Sequence, residues 1–136
     1  ASAKVKPLNG KTMVAAAVAG NQHDIGLQAV TDFFEIDGWR TVLLGANVPA
    51  RDLAQAVDYF DADLLGLSVS LPTQIEAAKT AIRAVRDSAR GAKVKILLGG
   101  GAFRDSDDLP RELGADGYAA DAVAALTLGR KLVGLE

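Results

Sequence analysis

Five short apolar runs alternate with five stretches of helical period along this chain, and nothing else in it constrains the fold as strongly. Lys11 to Val18 reads as the first strand and Trp39 to Leu44 as the second. Leu64 to Val69 is the third, Lys93 to Leu98 the fourth, and a short fifth lies within Gly114 to Ala119. Between these runs apolar residues recur every three or four positions, the period of a helix with one buried face. Ile25, Ala29, Phe33 and Ile36, widened by Val30 and Phe34, form the stripe of the first helix, which Asp37-Gly38 ends. Gly45 to Pro49 reads as a loop, with Pro49 in the first turn of a helix that buries Leu53, Ala54, Val57 and Phe60. Ile75, Ala78, Ile82 and Val85 mark the third helix, with Lys79, Arg83 and Arg86 on its solvated side. Asp105 to Leu113 predicts a short helix limited by Pro110. Asp121 caps a last helix through Val123, Leu126 and Leu132. Trp39 and Phe103 read as packing residues.

This alternation predicts the α/β class, a parallel sheet with helices on both faces. Right-handed crossovers and five strands favour the order 2-1-3-4-5 of flavodoxin-like and Rossmann-like folds. The nearly continuous apolar run from Leu64 suits a central strand buried on both faces. A length of 136 residues fits a single domain, expected over residues 11–136. Residues 1–10 are small and polar around Pro7, as in a linker or cloning remnant.

Composition removes several chemistries. The chain has no cysteine, so disulfides, thiolate zinc sites, iron–sulfur clusters and thiolate catalysis are excluded. It has one histidine, so no site can draw on two imidazoles. A formal charge of −2 gives no electrostatic case for nucleic acid or a membrane surface. No apolar run approaches the roughly 18 residues of a membrane-spanning helix. No secretory signal is recognised, and a cytoplasmic place is the expectation.

In the order 2-1-3-4-5 the chain reverses direction between strands one and three, and the crevice at their carboxyl ends is the expected binding site. Three unusual loops meet there: Gly20 to Gly26, Ser68 to Thr73, and Gly99-Gly100-Gly101. The first holds the single histidine, His23. A dinucleotide fingerprint needs a third glycine that is missing between Gly20 and Gly26. No Gly-Lys-Ser/Thr follows strand one, as a P-loop requires. A phosphoacceptor receiver wants an Asp ending strand three, where Ser68 stands, and a Lys after strand five, where there is none. Neither Ser68 nor Ser70 sits in a nucleophile-elbow pattern. What remains is a histidine on a loop, able to offer a ring nitrogen to a metal carried by a ligand. Asn21 is placed to hold its other nitrogen through the amide carbonyl. Gly26 lets the helix start close to a bulky group, and the glycines at 99 to 101 let a large flat group pass without meeting a Cβ.

Asn21-Gln22-His23-Asp24-Ile25-Gly26, then Ser68-Val69-Ser70, then Gly99-Gly100 resemble the cobalamin-binding domain family. That family is the Rossmann-like module of methionine synthases, cobalamin-dependent mutases, corrinoid methyl carriers and cobalamin light sensors. Its pattern is Asp-x-His-x-x-Gly, then Ser-x-Leu or Ser-x-Thr, then Gly-Gly, and the resemblance covers nearly the whole chain. It implies cobalamin as cofactor, held with dimethylbenzimidazole displaced and His23 as the lower axial ligand of cobalt. It further implies that the nucleotide tail enters a slot beside the sheet. Ser68 would lie near the buried base, with Ser70 and Thr73 as further polar contacts. Gly99, Gly100 and Gly101 would line the slot, Gly26 would open the first helix beside it, and Asp24 would belong to the same cofactor loop.

Two positions depart from the pattern. Asn21 stands where the family has Asp, and Ser70 where it has Leu. An amide cannot exchange a proton as cobalt changes its ligation, so the expectation is a sensory or regulatory cobalamin-binding module of a larger system, not an enzyme by itself. The alternative is a corrinoid methyl carrier working with methyltransferases, and a second is a relative binding haem or another tetrapyrrole. Methyl carriers and several sensors have a helical bundle upstream that caps the corrin. About ten residues precede the first strand here, so the cap is expected from an upstream domain or a partner protein.

Overall fold

The computed structural model describes residues 8–22 and 25–135. In chain order the elements are β1 (Thr12–Val18), α1 (Ile25–Ile36), β2 (Arg40–Val48), α2 (Ala50–Tyr59) and β3 (Leu64–Ser68). There follow α3 (Ile75–Arg86), β4 (Lys95–Gly99), the single-turn α4 (Leu109–Glu112), β5 (Gly117–Ala119) and α5 (Ala122–Leu132). The five strands form one sheet in the order β2-β1-β3-β4-β5, every pair parallel. The expected topology is therefore the observed one. Among the described residues no helix is long and apolar enough to cross a membrane.

The sheet is packed differently on its two faces. Towards α2 and α3 it presents Val14, Val18, Leu65, Leu67, Ile96 and Leu98, which meet Leu53, Val57, Ile82 and Val85 in a filled core. Towards α1 and α5 it presents Met13, Ala15, Ala17, Leu64 and Leu97, which meet Phe34, Trp39 and Ala125. Phe34 packs edge-on to Trp39, ring centroids 4.9 Å apart, and both are fully buried with Phe103. At the far end α5 closes on Phe34 so tightly that a Cβ on Gly129 would lie 2.9 Å from the ring. Asp121 caps α5 as expected, its carboxylate accepting from the Ala124 N–H at 2.8 Å. Beside α3, the Asp58 carboxylate accepts from the backbone N–H of Arg90 at 2.9 Å, which holds its pKa below the ordinary carboxylate value.

Several local expectations are corrected. In α1 the buried residues are Leu27, Thr31 and Phe34, whereas Ala29, Phe33 and Ile36 are exposed. The period was right, but of the predicted stripe only Phe34 is buried and Val30 partly so, with the Ile25 side chain outside the described residues, because α1 is apolar around too wide an arc for spacing to choose. Strand β2 does not stop at Leu44 but runs to Val48. The register against β1 shifts on both sides of Gly45, which pairs with Ala16, and Asn47 falls within the second shift; both have positive φ, so residues typical of turns sit at bulges. Arg86 is not on a solvated face. Its guanidinium donates to the carbonyls of Gly91, Val94 and Gly114 at 2.7–3.0 Å and pairs with Asp116 at 2.8 Å. Val123 is exposed, and α5 buries Ala125 and Gly129 instead.

Candidate cofactor site

Parallel pairing lays the site out as rungs across the sheet. Ala17, Ser68, Gly99 and Ala119 are successive register partners on β1, β3, β4 and β5. One rung deeper are Ala15, Gly66, Leu97 and Gly117. Because side chains alternate along a strand, these rungs face α1 and α5. The opposite parity carries Val, Leu and Ile; this one falls to Ala, Gly and Ser towards the carboxyl edge. Small residues cannot fill the space beneath two helices, and a cavity of about 400 Å³ remains. That is within the range of small-molecule sites, roughly 300–1,000 Å³.

One wall is α1, through Gly26, Leu27, Ala29 and Val30, and the other is the start of α5, through Ala120, Asp121, Ala122 and Ala125. Met13, Ala15, Gly66 and Leu97 floor the deep end. A Cβ placed on Gly66 would sit 3.9 Å from Met13 Sδ and 4.0 Å from Ala15 Cβ, which are ordinary contacts. The protein's own packing does not require glycine there. Ser68 lines the cavity, and its hydroxyl makes no hydrogen bond among the described residues.

Asn21 is fully buried just behind this wall. Its amide nitrogen donates to the Ser68 carbonyl at 3.2 Å and to Ser70 Oγ at 3.0 Å. The carbonyl accepts only, so the amide nitrogen must face it. An aspartate in this pose would set a carboxylate oxygen against a carbonyl oxygen. The two departures from the family pattern are thus one hydrogen-bonded pair.

Two residues that motif reasoning passed over tie the loops together. Asn47 accepts the Gly20 N–H through its side chain at 2.7 Å, and its own N–H donates to the Asn21 carbonyl at 2.8 Å. Gln74 is buried. Its Oε1 accepts from the N–H groups of Ser70 and Leu71 at 3.0 and 3.2 Å, and its Nε2 donates to the Gly20 carbonyl at 3.2 Å. Gln74→Ala strands these partners, at a cost of about 1–3 kcal/mol. A fall in the thermal midpoint is the expected result, and an unchanged midpoint would show that water serves those groups equally well.

Of the residues singled out in the sequence, Gly26, Ser68, Ser70, Gly99 and Gly100 line the cavity, and Asn21 braces two of them. Thr73 and Gly101 are exposed and do not line it. His23 and Asp24 lie outside the described residues. Gly66, Leu97, Ala119 and Ala125 were not anticipated. For Gly66 the signal was the parity of β1 and β3, where every second residue turns small towards the carboxyl edge.

A doubly wound sheet with an apolar slot at its switch point defines an α/β domain built to carry a ligand. The B12 binding domain family matches residues 11–127; the chain belongs to that family, and cobalamin is its cofactor. Over 121 residues it is 27% identical to dimethylamine corrinoid protein 3 of Methanosarcina acetivorans, covering 89% of this chain and 56% of that protein. Among solved structures, the methanol:cobalamin methyltransferase complex from Methanosarcina barkeri includes a chain 27% identical. It gives a TM-score of 0.80 over 90% of this chain and 46% of that one. A cobalamin-binding protein from Desulfitobacterium hafniense DCB-2 shares the fold, with a TM-score of 0.83 at 22% identity over 92% of this chain and 60% of that one. The chain spans little more than half the length of the curated relatives that head the comparison.

Proposed function

We propose that this chain is the corrinoid-carrying module of a methyl-transfer system, with its domain over residues 11–136. In this reading it holds cobalamin base-off, with the nucleotide tail in the slot between α1 and α5 and His23 as the lower ligand. The observation that carries it is the 400 Å³ cavity, which opens at the sheet edge where the Ser68, Gly99 and Gly26 motifs meet. The residues present suit the group: glycines and alanines leave room for a flat heterocycle, and the Ser68 hydroxyl is available to its one basic ring nitrogen. Asn21 fixes the start of the loop that carries His23 through its bonds to the Ser68 carbonyl and to Ser70 Oγ.

The sequence favours a sensory module because Asn21 does not titrate. That inference weakens once the amide is seen bonded to Ser68 and Ser70, since local packing accounts for it. The relatives' names, a dimethylamine corrinoid protein and a methanol:cobalamin methyltransferase complex, speak for the methyl carrier. The partners on this reading are a methyltransferase and a helical cap over the upper corrin face. The family match takes away the ground for a haem-binding alternative.

The test is an absorption titration with hydroxocobalamin beside His23→Ala. The expected result is a base-off, His-on spectrum in the parent and its loss in the variant. An identical spectrum in both would overturn the axial role of His23. Methyl transfer from the loaded domain to or from a methyltransferase supports the carrier. Light-driven loss of an adenosyl ligand that changes the domain's assembly, with no methyl transfer, would restore the sensor.

A further inference from the structure

We propose that the slot selects the lower base of its corrinoid, taking a benzimidazole and rejecting a purine. This deepens the reading above and rests on the nucleotide tail entering the slot. The argument is a count of polar groups by depth. The deep end is Met13, Ala15, Gly66 and Leu97, none of which carries a hydrogen-bonding side chain. The strand backbones beneath them are paired with one another in the ladder. One rung towards the mouth stands Ser68, whose hydroxyl has no partner among the described residues. Beyond it Ser70 is engaged by Asn21, and Asp121 is exposed and engaged by the Ala124 N–H.

The site therefore keeps its polar side chains at mid-depth and at the mouth, with Ser68 the deepest of them, above a dry floor. A displaced benzimidazole matches that arrangement. It has one ring nitrogen with a lone pair, and its far edge carries only methyl groups. An adenine does not match. Its far edge carries a ring nitrogen and an amino group, both of which would be pressed against Met13, Ala15 and Leu97 with water excluded. One unpaired buried polar group weakens binding by about tenfold or more.

The chemistry of the free corrinoids acts in the opposite sense, which sharpens the test. Benzimidazole is the more basic ligand and holds cobalt more firmly, so displacing it costs more than displacing adenine. A preference for cobalamin must then come from the slot.

The experiment is an absorption titration of this chain with three corrinoids: cobalamin, its analogue with adenine as the lower base, and cobinamide, which lacks the nucleotide. The expected result is cobalamin bound at least about tenfold more tightly than the adenine form, with cobinamide also weaker than cobalamin. Equal affinity for cobalamin and the adenine form overturns the selectivity while leaving cobalamin as the ligand. Cobinamide bound as tightly as cobalamin overturns it too, since the slot would then return no more than the cost of displacing the base. Failure of all three to bind overturns the functional reading itself, and the base selectivity with it.

Discussion

Gly66→Leu will strip this domain of high-affinity cobalamin binding and leave its fold intact. Gly66 lies mid-strand in β3, paired with Ala15 on one side and Leu97 on the other. A Cβ there meets nothing closer than 3.9 Å, so the first carbon is accommodated without a shift. The remaining carbons project into the cavity, which they fill from its floor. Glycine inside a strand costs roughly 0.5–1 kcal/mol relative to alanine through its chain entropy, so the thermal midpoint should hold or rise. The nucleotide tail would then need to displace a packed leucine. Overpacking of this kind costs about 1–3 kcal/mol, a loss of roughly ten- to hundredfold in affinity. Absorption titration with cobalamin measures the loss, and thermal unfolding of the ligand-free domain measures the fold. A leucine variant that binds as well as the parent would show that the tail does not reach the floor between β1 and β4.

The fold was legible because each element declares itself locally. Strand-length apolar runs alternate with helical periods, and handedness and parallel pairing leave few ways to order five strands. What spacing alone could not give was orientation. In α1 two stripes have the same period, one through Leu27 and Phe34 and one through Ala29, Phe33 and Ile36. Only docking on the sheet chooses the first. Gly45 and Asn47 read as a turn because each suits a positive φ, and each has one. The strand continues through them because bulges use the same conformations. The site was half legible. Motifs found the loops at its mouth, but the floor is written in parity across strands that are distant in sequence. Met13-Ala15-Ala17 and Leu64-Gly66-Ser68 both turn small in the same direction, and the significance of that trend appears only when the strands are side by side.

The pairing of Asn21 with Ser70 shows why departures from a motif are best weighed together. Taken singly, Asn21 looks like a lost proton carrier and Ser70 like a polar intruder in an apolar slot. In the structure the Asn21 amide nitrogen lies 3.0 Å from the Ser70 hydroxyl and 3.2 Å from the Ser68 carbonyl. Each residue supplies what the other needs in a buried place where an unmatched polar group would be costly. The network ties Asn21 to the end of β3 whatever use is made of the cofactor.

Gly100→Ala should show the contrary pattern to Gly66→Leu, with the fold itself failing. Gly100 has φ 102° and ψ 165°, a region that belongs almost solely to glycine. A Cβ on it would lie 2.2 Å from the Val69 carbonyl oxygen and 2.7 Å from its carbon. These are backbone atoms at the end of β3, and they cannot swing aside as a flexible side chain would. Val69 is held on both sides: its N–H donates to the Gly99 carbonyl at 2.9 Å, and its carbonyl accepts from Ala102 at 3.1 Å. Making room for the methyl group breaks at least one of these bonds in addition to the dihedral strain. Together the costs come to at least about 3 kcal/mol, or about 10 °C in the thermal midpoint of a domain this size. Unfolding of the ligand-free variant, followed by heat and by denaturant, reads the effect directly, and a midpoint within a few degrees of the parent's would contradict it. Gly100 also lines the cavity, so corrinoid binding should fall along with the fold. Loss of binding without loss of fold at Gly66, against loss of both together at Gly100, separates the glycine that keeps the cavity open from the one that lets the chain turn beside it.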